Sequence, residues 1–355
     1  MRSRHRRTRR GVAPVRGSIR QPLGSCVSQV GEQSFNVGRN AVLAAGWPES
    51  VPATTVDRQC GSSQQAVHFA AAGLVAGHYD VVIAGGVESM TRVPMGSSVG
   101  NGAGRPHGPL VARRYDRESF NQGVGAEMIA HKWGVTREEA DRIGLRSHRL
   151  AAAAADSGRF DAQIVPVDTD DAGTVERDEG VRRDASLDAM ATLRPAFRDD
   201  GIVTAGNASQ ISDGAAALLL TTSETAQAMG LRPLARVHSV ALAGVDPVSM
   251  LTGPIPATQR VLERSGLSLG QIDVFEVNET FAPVIAAWRA EIGAPEERVN
   301  PNGGAIALGH PLGASGGRIM TTLVHDMVDR RLQFGLQTMC EGGGLANATI
   351  LERLA

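Results

Sequence analysis

Four side chains of this 355-residue chain stand singly next to the ends of expected strands, three of them beside glycines, and could do chemistry: Cys60, Asn278, His310 and Cys340. Two thiols, an imidazole and an amide suit an acyl transfer that makes or breaks a carbon–carbon bond. That reaction needs a nucleophile to hold the acyl group, a base for a proton on an α-carbon, and donors for two oxyanions. A metal site is the weaker reading, because singly scattered Cys and His lack the CxxC or HxxxH spacing of zinc ligands. Gly303, Gly304, Gly342, Gly343 and Gly344 read either as turn punctuation or as backbone that approaches a thioester oxygen. Their place beside His310 and Cys340 favours the second.

The elements around Cys60 explain why this cysteine differs from an ordinary buried one. Residues 51–56 read as a strand, Ser62 and Ser63 as helix caps, and the Ala-rich run 65–76 as a helix closed by Gly77. Residues 80–86 return as a buried strand ending in glycines. Cys60 is therefore expected on a strand-to-helix turn, where the helix N-terminus lowers a thiol pKa and offers free N–H groups. The His310 region repeats that order: a glycine-rich turn at 309–315, a helix over 316–328, and a strand over 335–339 running into Cys340. Duplicated α/β halves would bring helix N-termini and strand ends to one interface, a common place for a ligand.

The rest of the chain supports these two halves. A net charge of −1 argues against nucleic acid, and no apolar run reaches the roughly 20 residues that span a bilayer. Three cysteines make no disulfide framework, which fits a reducing cytoplasm. Lys132 is the only lysine, so basic patches are arginine whatever their role. The Arg-rich opening of residues 1–22 has no apolar segment and is no secretory signal. It is expected to be disordered or not genuine coding sequence. Residues 90–211 change character, with loops at 96–109, helices at 125–133 and 136–155, and an exposed hairpin over 164–184. They read as an insertion carrying substrate contacts. The expected division is 1–89 plus 212–232, the insertion 90–211, and 233–355. In the last part strands are expected at 235–243 and 274–277, with a helix at 258–265.

Four ordered blocks then carry a family resemblance. Asp57-Arg58-Gln59-Cys60-Gly61-Ser62, Val277-Asn278-Glu279-Thr280-Phe281, the run from Asn302 through His310 to Pro311, and Cys340-Glu341-Gly342-Gly343 resemble the signature blocks of thiolases. The resemblance runs from about Leu23 to the C-terminus. It implies an α/β protein of five layers, α/β/α/β/α, built from two similar halves with a loop domain inserted in the first. It further implies a homodimer or homotetramer and ping-pong transfer on acyl-coenzyme A, with no cofactor beyond the substrate coenzyme A, no metal, no nucleic acid and no membrane. Cys60 matches the acyl-carrying nucleophile, and His310 the residue that activates it and helps form an oxyanion hole. Asn278 matches the holder of that hole's water. Cys340 matches the acid/base at the α-carbon, and the N–H groups of Cys60 and Gly342 match a second oxyanion site. Arg182, Leu193, Phe197, Ala205, Gly206, Ser209 and Phe281 fall where the family contacts coenzyme A. Unremarkable readings stand beside three of these: a surface charge for Arg182, core packing for Leu193 and Phe197.

Some residues depart from the pattern. The family's Asn-Glu-Ala-Phe reads Asn278-Glu279-Thr280-Phe281, adding a hydroxyl and bulk near the acyl site that are expected to alter chain-length preference or rate. Phe120-Asn121-Gln122-Gly123 lacks the His-Met pair of the short-chain, acetoacetyl-making branch. With the run from Gln337 to Glu341, it resembles the degradative or broad-range branch, for which fatty-acid β-oxidation is the expected setting. Thiolases also open with a strand and helix ahead of the Leu23 block, whose lack would expose apolar surface and a strand edge. The expected activity is thiolysis of a 3-oxoacyl-CoA to acetyl-CoA and a shortened acyl-CoA, or the reverse Claisen condensation. The alternatives are a catalytically impaired acyl-CoA-binding relative and, against the Cys-x-Gly-Gly block, a decarboxylating condensing enzyme.

Overall fold

The computed structural model describes residues 19, 21–99, 104–170 and 173–354. In chain order the strands are β1 (Leu23–Ser25), β2 (Thr54–Val56), β3 (Val81–Ser89), β4 (Val167–Thr169), β5 (Gly173–Val175), β6 (Asp213–Thr221), β7 (Ala235–Gly244), β8 (Val274–Val277), β9 (Phe334–Glu341) and β10 (Leu345–Arg353). The helices are α1 (Val37–Ala44), α2 (Ser62–Val75), α3 (Pro109–Tyr115), α4 (Gln122–Trp133), α5 (Arg137–Asp156), α6 (Leu187–Ala191), α7 (Ser223–Ala228), α8 (Pro254–Ser265), α9 (Ala282–Ile292), α10 (Ala305–Leu308) and α11 (Leu312–Asp329).

Two mixed sheets form the frame, one in the order β2-β1-β3-β6 and one in the order β7-β10-β9-β8. In each, parallel strands meet an antiparallel one: β6 runs against β3, and β10 runs against both β9 and β7. Helices α2 and α11 lie between the sheets. Their apolar residues Val67, Ala70, Met320 and Leu323 share one core with Val82 and Ala84 of the first sheet and Val274 and Leu351 of the second. On the far face of the second sheet, α8 and α9 close another core around Phe275 and Trp288. Trp288 is fully buried, lies edge-on to Phe275, and donates its indole N–H to Thr258 Oγ1 at 2.9 Å. Helix α1 packs on the far face of the first sheet, giving the layers α/β/α/β/α. The fold class read from the blocks is the one observed.

Close approach of α2 and α11 depends on glycine. A Cβ on Gly316 would stand 2.5 Å from Gln64 N, so no larger residue fits there. The strand β9 is covered on both faces and is buried without a break from Gly335 to Glu341, as expected for a central strand. In the segment between β3 and β6, α5 forms because Thr136 caps Glu139 N at 3.2 Å and Ala140, Gly144, Ala151 and Ala154 line one face. The expected hairpin is observed as the short pair β4–β5.

The two sheets differ at one edge. In the second, β7 covers the outer side of β10. In the first, β6 has no such neighbour among the described residues, and Ala215, Ala217 and Leu219 point outward. An apolar cleft of about 270 Å³, lined by Leu23, Val37, Trp47, Ile83 and Ala215 among others, opens on that face. Of residues 1–22, Ile19, Gln21 and Pro22 are described and belong to the packed chain, ahead of the Leu23 boundary expected. Ile19 is buried against Val42, Val51 and Val81, Gln21 donates to Thr54 Oγ1, and Pro22 O accepts from Thr54 N. The remainder of that segment lies outside the described residues.

Candidate active site

Cys60 sits where β2 has turned into α2, and the turn is built tightly. Gln59 takes a left-handed conformation at φ 51°, and Gly61 is the N-cap. The serines are not the caps expected. Ser62 is already helical, with its hydroxyl accepting from Arg58 N at 2.8 Å and donating to Gln59 O. Ser63 Oγ accepts from Gly317 N of α11 at 2.8 Å. Helix propensity competes with local capping, and here the packing of α2 on α11 decides where each hydroxyl goes. Gly61 is required: a Cβ there would collide with the Glu341 carboxylate, and Asn347 Nδ2 donates to Gly61 O at 3.1 Å.

His310 precedes α11, matching the duplicated order read from sequence. Its Nδ1 lies 2.6 Å from Ser315 Oγ, which itself donates to Pro311 O at 2.9 Å. That chain of donors assigns the imidazole proton to Nδ1 and leaves the Nε2 lone pair facing the site. Asn278 Nδ2 lies 3.4 Å from this Nε2 and donates to Thr280 Oγ1 at 2.8 Å; Thr280 Oγ1 in turn lies 3.3 Å from Cys340 Sγ. One contiguous polar line thus links His310, Asn278, Thr280 and Cys340, all nearly inaccessible to solvent. Cys60 adjoins this line, near enough to Cys340 and Glu341 for their charged forms to disfavour its thiolate, and the N–H groups of Gly342 and Cys60 hydrogen-bond to its sulfur.

The electrostatics differ from the helix-end expectation. Burial pushes the Cys60 thiol up, Cys340 and Glu341 add to the rise, and the two N–H groups only oppose it. Desolvation, set by the whole fold, outweighs a local helix end. Burial also raises Cys340 to about 11 against the pull of the Thr280 hydrogen bond. His310 is held down to about 3, first by burial and then by the Arg318 charge. The resting set is two neutral thiols beside a neutral imidazole, so Cys60 can become a nucleophile only by handing its proton over as it attacks. Burial raises Glu341 to about 8 although Arg58 Nε stands 3.0 Å away.

Two buried carboxylates hold the parts in register, and neither was singled out from the sequence. Glu88, at the end of β3, accepts from Val27 N, Ser28 N and Gly313 N, each at 2.9 Å, tying the first sheet to the start of α11. Glu279 accepts from Ser147 Oγ at 2.5 Å and from Asn300 Nδ2 at 2.9 Å, tying α5 to the loop after β8. Ser315 was also missed. A hydroxyl in the first helical turn after a Gly-His-Pro turn is the one local signal that could have found it.

The residues expected at coenzyme A lie together only in part. Ser209 N donates to Thr280 O at 2.9 Å, and Ala208 pairs with Phe281, which puts the 205–209 turn beside the catalytic line. Phe281 meets Phe197 edge-on with centroids 5.7 Å apart. A Cβ on Gly206 would stand 2.8 Å from Leu193 Cδ1. Leu193 and Phe197 are 36% and 39% exposed, so neither is core packing. Ala205 and Arg182 are exposed; Arg182 N donates to His148 Nδ1 at 3.2 Å.

Known proteins resemble this chain over most of its length. Residues 13–224 match the model of the thiolase N-terminal domain and residues 231–353 that of the thiolase C-terminal domain. A steroid 3-ketoacyl-CoA thiolase of Mycobacterium tuberculosis is 48% identical over 338 residues, 94% of this chain and 82% of its own. A 3-ketoacyl-CoA thiolase of Klebsiella pneumoniae is 46% identical over 337 residues, 93% of this chain and 86% of its own. The crystal structure of a Bacillus anthracis acetyl-CoA acetyltransferase superposes with a TM-score of 0.87 at 38% identity, covering 96% of this chain and 88% of that one.

Proposed function

The chain belongs to the thiolase family, and from that premise we propose how its residues carry out acyl transfer between coenzyme A thioesters. The observation that carries the reading is the line His310–Asn278–Thr280–Cys340 beside Cys60. In thiolysis, Cys60 Sγ attacks the 3-oxo carbon of the substrate as His310 Nε2 takes the thiol proton. The bond between the α- and β-carbons breaks, and the enolate of acetyl-CoA takes a proton from the Cys340 thiol. Acetyl-CoA leaves. The thiol of coenzyme A gives its proton to the Cys340 thiolate and attacks the acyl-enzyme, and Cys60 recovers its proton from His310. Condensation is the reverse.

Charge develops on oxygen twice, and two sets of donors suit it. One is the protonated His310 with a water held by Asn278; the other is the N–H pair of Cys60 and Gly342, which already points at the sulfur. Arg182, Leu193, Phe197, Ala205, Gly206, Ser209 and Phe281 are proposed to hold coenzyme A, with exposed Leu193 and Phe197 offering apolar surface to its pantetheine arm. On this reading the segment 90–211 is the coenzyme A-binding insertion within the first half, 1–89 plus 212–232, and 233–355 is the second half.

Relatives named 3-ketoacyl-CoA thiolase support a role on 3-oxoacyl-CoA. Because the segment 120–123 lacks the His-Met pair, we extend this to degradation of substrates longer than acetoacetyl-CoA, in a cytoplasmic homo-oligomer. Thiolysis assayed with acetoacetyl-CoA and a medium-chain 3-oxoacyl-CoA tests this, with faster turnover of the longer substrate expected. The C60A variant should lose turnover and keep acyl-CoA affinity. Turnover surviving in C60A would overturn the assignment.

A further inference from the structure

Thr280 stands where the resembled block carries an alanine, and its hydroxyl is wired into the site from both sides. Asn278 Nδ2 donates to Thr280 Oγ1 at 2.8 Å, occupying one lone pair. The hydroxyl hydrogen is then free to point at Cys340 Sγ, 3.3 Å away. Thr280, Asn278 and Cys340 are 3%, 1% and 1% exposed, so water does not compete for this hydrogen bond.

We propose that Thr280 is a positioning residue for the α-carbon proton transfer: its hydroxyl donates to the Cys340 thiolate and accepts from the Cys340 thiol, serving both states of the acid/base. The inference rests on the assignment of Cys340 to that step. In the condensing direction, the Cys340 thiolate takes a proton from the acetyl-CoA methyl carbon. The C–H bond breaks, the S–H bond forms, and the electron pair remains on the α-carbon as the enolate. Thr280 transfers no net proton. It rotates its hydroxyl hydrogen between sulfur and the remaining space as the sulfur charge comes and goes.

The other groups around Cys340 make such a donor valuable. Glu341, next on β9, raises the cost of a Cys340 thiolate, and the Cys60 thiol faces it from the start of α2. Among the described residues, His310 connects to it by hydrogen bonds through Asn278 and Thr280. Its neighbour Thr280 is the side-chain donor that favours the charged sulfur, against burial that disfavours it.

The test uses the full chain with T280V, which keeps the volume and removes the hydroxyl, and T280S, which keeps the hydroxyl. The readout is exchange of acetyl-CoA methyl hydrogens with solvent deuterium across pH, by mass spectrometry, beside the rate of acyl-enzyme formation on Cys60. Loss of a hydrogen bond to a charged sulfur predicts T280V exchange roughly tenfold slower at neutral pH, with the profile moved about one unit to higher pH. Acyl-enzyme formation should fall much less than exchange, and T280S should restore exchange. T280A, should T280V fold poorly, is expected to show the same loss. An unmoved T280V profile, T280S as slow as T280V, or acyl-enzyme formation falling in parallel would each overturn the proposal. Alkylation of Cys340 in a C60A background separates this from the parent assignment. Exchange that persists after Cys340 is blocked removes the assignment itself.

Discussion

Replacing Ser315 by alanine removes a single oxygen and should cost the site its base. The hydroxyl is 2.6 Å from His310 Nδ1, fully buried, and completes a chain to Pro311 O. Without it the Nδ1–H has no acceptor in a dry site. The imidazole must then bury an unsatisfied donor or move its proton to Nε2, where the lone pair that receives the Cys60 proton is lost. An unsatisfied buried donor costs about 1–3 kcal/mol. That range corresponds to roughly 5- to 150-fold in a rate that depends on the correct tautomer. The assay is rapid-quench measurement of acyl-enzyme formation from acetyl-CoA, the half-reaction in which His310 takes its proton. T321A on the same helix is the control, since Thr321 Oγ1 donates only to Gly317 O at 2.9 Å. S315A should slow acylation within that range while T321A does not. Equal rates in S315A and native protein would refute the claim that Ser315 holds the tautomer.

Two further outcomes concern stability. His68 and His310 are both held down to about 3 in the folded chain, by burial and then by Arg58 and Arg318 respectively, against about 6.5 unfolded. The unfolded chain therefore binds more protons below 6.5, so stability is full above that pH and falls as pH drops toward 3. Each histidine should cost about 2 kcal/mol at pH 5. Urea unfolding at pH 7.5 and 5 should show the fall, and H68Q should lessen it; an acid slope unchanged in H68Q would remove His68 from the account. E88Q exchanges a carboxylate that accepts three backbone N–H groups for an amide with fewer acceptors. It should lower unfolding free energy by about 2 kcal/mol or more, and a urea midpoint equal to native would contradict the tie between β3 and α11.

Much of this protein was legible in local pattern. The strand over 274–277 was read to the residue, because Val274, Phe275 and Val277 favour an extended chain and the run is short and bounded by Asp273 and Asn278. Helix α5 followed from Thr136, its two glutamates and its small-residue stripe. Cys60, Asn278, His310 and Cys340 were recognisable because each belongs to a short local block at or near a strand or helix end, although Cys340 proves to be a residue of β9 rather than of the glycine turn that follows it. Their common neighbourhood was implied by the repeated order of elements.

Other features depended on contacts between residues far apart in sequence, which local pattern does not encode. The Cys60 thiol goes up rather than down, because its environment is made by β9 and Glu341, distant in sequence, and desolvation sums over all of them. Ser62 and Ser63 are not caps, because α11 competes for Ser63 and the Arg58–Gln59 turn takes Ser62. Leu193 and Phe197 stay half-exposed, since nothing in their periodicity says which neighbours will cover them. Thr280 reads in sequence as an added hydroxyl and bulk near the acyl site; only the fold shows that the hydroxyl lies between Asn278 Nδ2 and Cys340 Sγ.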